Sequence, residues 1–523
     1  MTSLSRVKDF FTSYRGLIAL IIIYETLVVL FLSTFSGPMI DRFGDWPVLS
    51  YIFPLIKNVP GGDGRHAARA ILIYHGLAIP FMVAVVFFFM DQYEFRPGME
   101  TLTKWVLFVG AMWTSISAII EAYFWASRVM HGLFISGQAI VFFGGILFTI
   151  GIWPTKDFPV DEPYTEYKVA GVNFEYLNVA ITSIAILISS LIAAVAASFY
   201  GFKDKYYPSD PQTFFDRTTI HDPSAVQQAI ANIEKRSIDI LHPVLLESIV
   251  RREYNDGWTF YEMFVSHLHI MVALLAAAVM LYTVRIANMK VNSHVFRLIV
   301  DIDTYIWTQW FYLIGIIILS VGAWLVITPW EYAHHVIDAG AAFLLTAGLA
   351  IAIVGWIEIA KEQLGDEYSS ASFGKKVAAI FKDPVKMGLY FQLLWVNFVV
   401  TFPGIYVGLN LDMFRSDEYI LVEYSFNVGH WHVLATLIAV MVMLIATDYY
   451  GIEGALRKVI GWSVTLGSIF GFAFATKYML RNPYAPYEFD WLMIDIGLGL
   501  LSLGVGLLSL YLLYDYLVKK VKN

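Results

Sequence analysis

The sequence predicts an all-α protein, a polytopic bundle of about 12 transmembrane helices with both termini on the cytoplasmic side. Of its 523 residues, 58% are hydrophobic and only 15% are charged, a far more apolar composition than that of a soluble domain. Apolar runs of roughly 20 residues, the length that crosses a bilayer, recur along the whole chain. We therefore expect one membrane domain over residues 1–523.

The apolar runs define the predicted spans. They lie near 16–36, 68–90, 103–126, 132–152, 176–201, 259–284, 305–328, 334–360, 386–408, 430–449, 459–480 and 491–516. Loops rich in Lys and Arg stay in the cytoplasm. Such segments are Met1–Arg15, Arg285–Arg297, Lys361–Lys386, Gly454–Lys458 and Leu517–Asn523, so both termini are predicted to be cytoplasmic.

Two loops fit this orientation less well. Loop 153–175 falls inside with more acids than bases, and loop 203–258 falls outside with several Lys and Arg. The second loop is long, and long loops cross the membrane largely regardless of charge. Its stretch Pro223–Arg252 has apolar residues at helical spacing, which predicts a surface helix on the outer face.

Composition excludes several classes of protein. The chain has no cysteine, which rules out thiolate-bound iron–sulfur clusters, covalently attached c-type haem and a cysteine-bridged copper centre within it. A net charge of −8 is not typical of a nucleic-acid-binding protein. The apolar run after Arg15 is long enough to span and has no small-residue cleavage site, so we expect no cleaved signal peptide.

Histidines mark four of the predicted spans. They are His75 in span two, His267 in span six, His334-His335 in span eight, and His430 and His432 in span ten. All four spans run from outside to inside, and the histidines fall in their predicted first turns, so we expect them at one depth near the outer face. Imidazole inside a bilayer is costly and usually functional. Six at one depth favour redox metals.

The sequence His430-Trp431-His432 predicts two separate metal sites. At about 100° per residue, side chains at i and i+2 point roughly 200° apart, so they cannot bind one metal. They can bind one metal on each side of the helix, which favours two haems. We expect His432 and His75 to ligate one haem, and His430 to ligate the other with its opposite face open to substrate.

A third metal site is predicted opposite the open haem. His334, His335 and one histidine of span six would supply three imidazoles, which suit copper or iron. Span six offers His267 and His269, and these two also point away from each other. We favour His267 as the ligand and keep His269 as the alternative.

These motifs resemble those of the catalytic subunit of the haem–copper oxygen reductase and nitric oxide reductase superfamily. The matching segments are Tyr74–Pro80 with His75-Gly76, Phe264-Val265-Ser266-His267, Ala333-His334-His335 and Gly429-His430-Trp431-His432. The resemblance covers essentially the whole chain by topology. It implies a bis-histidine low-spin haem on His75 and His432, a high-spin haem on His430, and a non-haem metal on His267, His334 and His335.

The resemblance also implies partners and a location. Electrons would come from a cytochrome c-like or cupredoxin-like subunit, or from quinol, on the outer side. The substrate would be a small gas, and the chain would lie in the cytoplasmic membrane of a prokaryote. The sequence shows no convincing proton pathway.

Span six departs from the best-known members of that superfamily. Many oxygen reductases have a tyrosine one turn after the span-six histidine, and well-studied nitric oxide reductases have a glutamate there. Here that position is Met271. Reduction of NO to N2O needs no tyrosine as an extra electron donor, so we favour a divergent nitric oxide reductase. Tyr332 lies beside His334 and could replace the missing tyrosine, which keeps O2 reduction as the second interpretation.

Three further side chains are candidates for supporting roles. Asp338, one turn below His334, could accept a hydrogen bond from a ligand histidine or could make an interhelical polar contact. Glu262 could pass protons from the outside or could be a solvated interfacial acid. Arg481 could pair with haem propionates or could be an ordinary loop arginine.

Two other classes of protein compete with this interpretation. A di-haem quinol–cytochrome anchor would use histidines in pairs across the bundle, and the adjacent His334 and His335 argue against it. A transporter with histidine proton relays would bind no haem at all.

Overall fold

The computed structural model describes residues 10–34, 65–123, 127–159, 168–206, 260–290, 303–325, 332–414, 420–481, 486 and 488–515. Its long helices are α1 Tyr14–Thr34, α2 Arg65–Gln92, α3 Glu100–Tyr123, α4 Arg128–Ile152, α5 Phe174–Tyr206, α6 Phe260–Ile286, α7 Thr304–Leu325 and α8 Ala333–Leu364. After a short 3-10 turn at Gly365–Tyr368 follow α9 Phe373–Ile380, α10 Pro384–Val396, α11 Phe402–Leu409, α12 Leu411–Phe414, α13 Ile420–Tyr449, α14 Gly454–Leu480 and α15 Glu488–Tyr514.

The predicted fold class, an all-α bundle of several membrane-spanning helices, is confirmed. Within the described residues, ten helical segments are long and apolar enough to cross a membrane. Each of the predicted spans falls on a helix, with α10 and α11 together forming the ninth. The total number of spans and the side of the termini remain predictions. The predicted surface helix at Pro223–Arg252 lies outside the described residues.

One small hairpin precedes α5. Strand β1 (Lys168–Val169) pairs antiparallel with β2 (Val172–Asn173), with Val169 opposite Val172. The two turn residues, Ala170 and Gly171, both have positive φ, at 51° and 82°. That backbone is the primed turn that matches the twist of a two-residue hairpin.

Neighbouring helices approach closely where glycines face them. A Cβ on Gly340 of α8 would lie 2.4 Å from the backbone nitrogen of Leu319 in α7, and one on Gly497 of α15 would lie 2.2 Å from the nitrogen of Gly471 in α14. Glycine is needed at both positions because any side chain would overlap the facing backbone. Small residues at helix contacts are the usual means of association in lipid.

The first and last long helices also contact each other. Helix α1 packs against α15, and the hydroxyls of Thr26 and Ser509 form a hydrogen bond of 2.7 Å. The bundle is therefore closed by a contact between residues at opposite ends of the sequence.

A buried ion pair joins helix ends on the face opposite the histidines. Glu175 at the start of α5 accepts hydrogen bonds from Arg285 Nε of α6 at 2.7 Å and from the Tyr305 hydroxyl of α7 at 2.8 Å. The Tyr93 hydroxyl, just after α2, donates to the same carboxylate. The Glu175 side chain is completely buried, so these donors replace the water that the charge has lost.

Candidate haem and metal site

His75 of α2 and His267 of α6 face each other. Their ring centroids are 6.4 Å apart, and the ring planes differ by only 14°. The ring of Phe134, from α4, lies 5.8 Å from the His75 ring at 83°. Spans two and six therefore bring their histidines together at one level of the bundle, as the predicted common depth requires.

His267 has a ring nitrogen that lacks a hydrogen bond. Its Nδ1 is buried and has no partner, while the ring also interacts with the backbone of Ser189 in α5. A buried polar atom without a partner calls for an explanation such as an ion, a water or a cofactor. An imidazole nitrogen is also one of the commonest metal ligands in proteins.

His430 and His432 face different helices, as their spacing predicts. His432 lies against α2, where its Nε2 hydrogen-bonds the hydroxyl of Tyr74 and the two ring centroids are 5.3 Å apart. His430 is 7% exposed, and its ring lies 4.8 Å from that of Phe426. The two imidazoles of α13 therefore lie in separate parts of the bundle, His432 against α2 and His430 beside Phe426.

His430 faces a glycine of α11. A Cβ on Gly404 would lie 3.2 Å from Cε1 and 3.6 Å from Nε2 of the His430 ring. One turn further on, a Cβ on Gly408 would lie 3.7 Å from Asp338 Oδ2 and 3.9 Å from the Cβ of His334. Together Gly404 and Gly408 form a side-chain-free strip between His430 and the start of α8, which we call the glycine strip.

A break in span nine precedes the glycine strip. The helix widens to a π-turn at Asn397–Thr401 just before Pro403. Proline has no N–H, so the carbonyl of Val399 loses its usual helical donor. The hydroxyl of Thr476 in α14 donates to that carbonyl instead, at 2.8 Å. Single π-turns inside α-helices occur frequently at functional sites.

The start of α8 carries His334, His335 and Asp338. The His335 ring is exposed and lies 5.8 Å from the ring of Tyr332, which is 54% exposed at the N-cap of α8. Asp338 interacts electrostatically with His335, and its Oδ2 is buried and makes no hydrogen bond. Asp338 therefore lies near His335, and the hydrogen bond that was predicted between Asp338 and a ligand histidine is not formed among the described side chains.

The predicted positions of the histidines within their helices need one correction. His334 lies in the first turn of α8, but His75 and His430 lie almost three turns into α2 and α13. These two helices begin well before their apolar runs, because their first turns contain polar and charged residues that hydropathy does not count as part of a span.

Other predicted site residues are placed only in part. Glu262 and His269 lie on α6, but their side chains are outside the described set. Arg481 caps α14, donates to the carbonyl of Tyr478 at 3.0 Å, and has its guanidinium 3.7 Å from the Tyr478 ring centre. Its pairing with haem propionates remains a prediction.

The predicted ligands form a string of contacts rather than one compact cluster. His267 faces His75, and Tyr74, the residue before His75, bonds His432. Gly404 lies against His430, and Gly408 lies against His334. Among the described side chains, no three His, Asp or Glu residues form a group that could hold a metal ion. The joint binding of one metal by His267, His334 and His335 is therefore a proposal.

Sequence reasoning missed Tyr74 and the glycine strip. The spacing of Gly404 and Gly408, four residues apart in an apolar run, places both on one face of a helix. Pro403 beside them was a further sign of an irregular helix. No signal in the sequence pointed to Tyr74 as the partner of His432.

No protein-family model, no curated protein and no solved structure matches this chain.

Proposed function

We propose that the chain is a membrane oxidoreductase that reduces NO to N2O at a high-spin haem and a non-haem metal. A low-spin haem between His75 and His432 would supply the electrons. The observation that carries the proposal is the string of contacts that links His267, His75, His432, His430 and His334 from four helices, partly through Tyr74 and the glycine strip. Imidazoles are rare inside membranes, and a string of them is a functional arrangement.

The donor chemistry of these residues fits haem. His267 has a buried nitrogen without a partner, and Gly404 presents no side chain of its own to the Cε1–Nε2 edge of His430. His432 binds the Tyr74 hydroxyl through Nε2, so ligation by that atom requires Tyr74 to give way. Copper or iron held by His267, His334 and His335 would need those side chains to approach one another.

Bound haem would supply electron transfer and gas binding, and the protein would orient the ligands and exclude water. The Phe134 and Phe426 rings pack against His75 and His430 and restrict the rotation of both imidazoles. Asp338 would orient His335, as carboxylates commonly orient ligand histidines. Overall, two NO molecules, two protons and two electrons would give N2O and water, with the electrons from an outer cytochrome c-like or cupredoxin-like donor or from quinol.

Reduction of O2 is the second candidate. The observation that favours it is the 5.8 Å separation between the rings of Tyr332 and His335. That tyrosine could supply the extra electron that O–O cleavage takes. Against it stands Met271, one turn after His267, where its sulfur receives a hydrogen bond from Ser190 at 3.7 Å and adds no redox-active group.

Haem content and turnover test the proposal directly. We expect a pyridine haemochrome assay to find haem in the purified chain, and carbon monoxide to shift the Soret band of the reduced protein. Anaerobic consumption of NO should exceed consumption of O2, and metal analysis should find copper or non-haem iron. Folded protein without haem would refute the proposal, and a carbon monoxide-insensitive spectrum would favour the di-haem anchor. Fast O2 uptake with negligible NO loss would reverse the order of the two substrates.

A further inference from the structure

A column of buried polar side chains follows the interface between α5 and α7. Its members are Glu175, Asn178, Thr182 and Ser189 of α5, and Tyr305, Gln309, Tyr312 and Ser320 of α7. Each is at most 3% exposed. Along α5 the members recur at intervals of three, four and seven residues, so they share one helix face. So many buried polar groups inside an apolar bundle require a reason beyond packing.

The lower part of the column is a ladder of hydrogen bonds. The Tyr305 hydroxyl bonds Glu175. One turn further, Asn178 Nδ2 donates to Gln309 Oε1 at 2.6 Å and to the Gln309 carbonyl at 3.1 Å. Another turn on, the hydroxyls of Thr182 and Tyr312 lie 2.8 Å apart.

The upper part of the column reaches the histidine site. Trp324 Nε1 of α7 donates to the hydroxyl of Ser189 at 3.2 Å, and the neighbouring Ser190 donates to the sulfur of Met271, one turn after His267 on α6, at 3.7 Å. The column therefore runs from the Glu175 ion pair, at one face of the bundle, to His267 near the other.

Four atoms along this line are buried and make no hydrogen bond: Asn178 Oδ1, Gln309 Nε2, Ser320 Oγ and His267 Nδ1. Three of these atoms, those of Asn178, Gln309 and Ser320, lie on the two helices of the column itself. The amide pair leaves one acceptor and one donor beside each other, and a water molecule there would satisfy both. Buried waters typically occupy such places.

One stretch of the column is apolar. Between Thr182 and Ser189 the positions that continue the same two helix faces are Ala185 of α5 and Ile316 of α7, and both are buried. Seven residues of α-helix rise about 10 Å. Roughly three waters in file, each at hydrogen-bond distance from the next, would bridge that length.

We propose that the α5–α7 interface holds a water-filled proton pathway from the Glu175 end to His267. The loop charges predict that the Glu175 end is cytoplasmic, so the pathway would bring cytoplasmic protons to a gas-reducing site near the outer face. Its use in turnover rests on the proposed function, but its hydration does not.

Hydration is tested without any need for activity. In X-ray hydroxyl-radical footprinting of the full chain in nanodiscs, bound waters produce radicals that label adjacent side chains. We expect labelling of Tyr312, which is 2% exposed, after correction for intrinsic reactivity, well above that of Phe87, which is fully buried among apolar residues. Protection of Tyr312 equal to that of Phe87 would overturn the pathway whatever the chain catalyses.

Proton delivery is tested by substitution within the column. Thr182→Val removes the hydroxyl that pairs with Tyr312, and Ser320→Leu replaces a buried hydroxyl of α7 with a larger apolar side chain. Each should lower NO turnover by about tenfold or more, because each turnover consumes protons, while haem content and reduction of the low-spin haem stay unchanged. Thr447→Val, an equally buried threonine of α13 far from the column, should keep normal turnover.

The outcomes separate the two proposals. Wild-type turnover in both Thr182→Val and Ser320→Leu would overturn the pathway even if Tyr312 is labelled. A purified chain without haem would refute the proposed function, and the labelling of Tyr312 would still decide whether the interface holds water.

Discussion

Gly404 lies against the imidazole of His430 so closely that a Cβ on the glycine would be 3.2 Å from the ring carbon Cε1. That distance is shorter than ordinary van der Waals contact, so an added methyl would push on the ring. The glycine at this position therefore sets where the His430 ring can lie.

Gly404→Ala should disturb the haem that His430 is proposed to hold. We expect a weaker or shifted carbon monoxide difference spectrum, while the spectrum of the low-spin haem is unchanged. Gly408→Ala is the matched control, because its methyl would meet Asp338 and His334 at 3.7 and 3.9 Å, which is ordinary contact distance. Identical spectra for the two variants would contradict the assignment of His430.

His430→Ala and His432→Ala should remove different haems. Because the two rings face different helices, His430→Ala should abolish carbon monoxide binding and leave the bis-histidine spectrum. His432→Ala should remove that spectrum. Equal loss of both haems in a folded His430→Ala protein would count against the division of roles.

Tyr74→Phe tests whether the hydroxyl of Tyr74 competes with haem for His432. The tyrosine hydroxyl bonds the same nitrogen that would ligate iron. If His432 ligates haem, removal of the Tyr74 hydroxyl should leave the low-spin spectrum unchanged or sharpen it. Loss of low-spin haem in Tyr74→Phe would mean that Tyr74 positions the ligand instead, and redox titration of the two proteins would measure the effect.

Thr476→Val should destabilise the protein through the π-turn. The change leaves the Val399 carbonyl buried without a donor, which typically costs about 1–3 kcal/mol. Thr447→Val is the control, since the Thr447 hydroxyl bonds the Met443 carbonyl within its own regular helix. Tryptophan fluorescence during SDS titration would give the unfolding midpoint of each variant. Equal midpoints for Thr476→Val and Thr447→Val would show that the hydrogen bond from Thr476 to the Val399 carbonyl does not stabilise the protein.

Arg285→Met should be far more destabilising than its surface counterpart. It would leave Glu175 as a buried carboxylate with only tyrosine donors, and breaking such a pair costs about 3–5 kcal/mol. Lys375→Met breaks the exposed pair with Glu367, and we expect no measurable change in the unfolding midpoint. A mild Arg285→Met phenotype would mean that Glu175 takes up a proton when its partner is lost.

The helices were predictable because hydropathy dominates in a membrane. The predicted span 334–360 corresponds to Ala333–Leu364, and 68–90 to Arg65–Gln92. The predicted span at 430–449 begins ten residues late, because Glu423, Ser425 and Asn427 make the first turns of α13 too polar for an apolar run. Backbone hydrogen bonds hold those turns regardless of side-chain polarity.

The candidate site was predictable in its residue types but not in its contacts. The opposite directions of His430 and His432 followed from helix geometry and are confirmed. The meeting of His75 with His267 depends on how α2 packs against α6, which no local pattern encodes. The polar column was missed because hydroxyl and amide side chains barely interrupt an apolar run, and their alignment requires two helices at once.

The hydrogen bond between Thr26 and Ser509 has a consequence for biogenesis. These residues are separated by 483 positions in the sequence, so α1 enters the bilayer long before its partner is synthesised. Until translation ends, the α1 surface that α15 will cover must be shielded by lipid or by the insertion machinery. A chain that terminates before α15 would leave that surface of α1 permanently uncovered. Quality-control proteases could recognise the exposed surface as a sign of an incomplete chain.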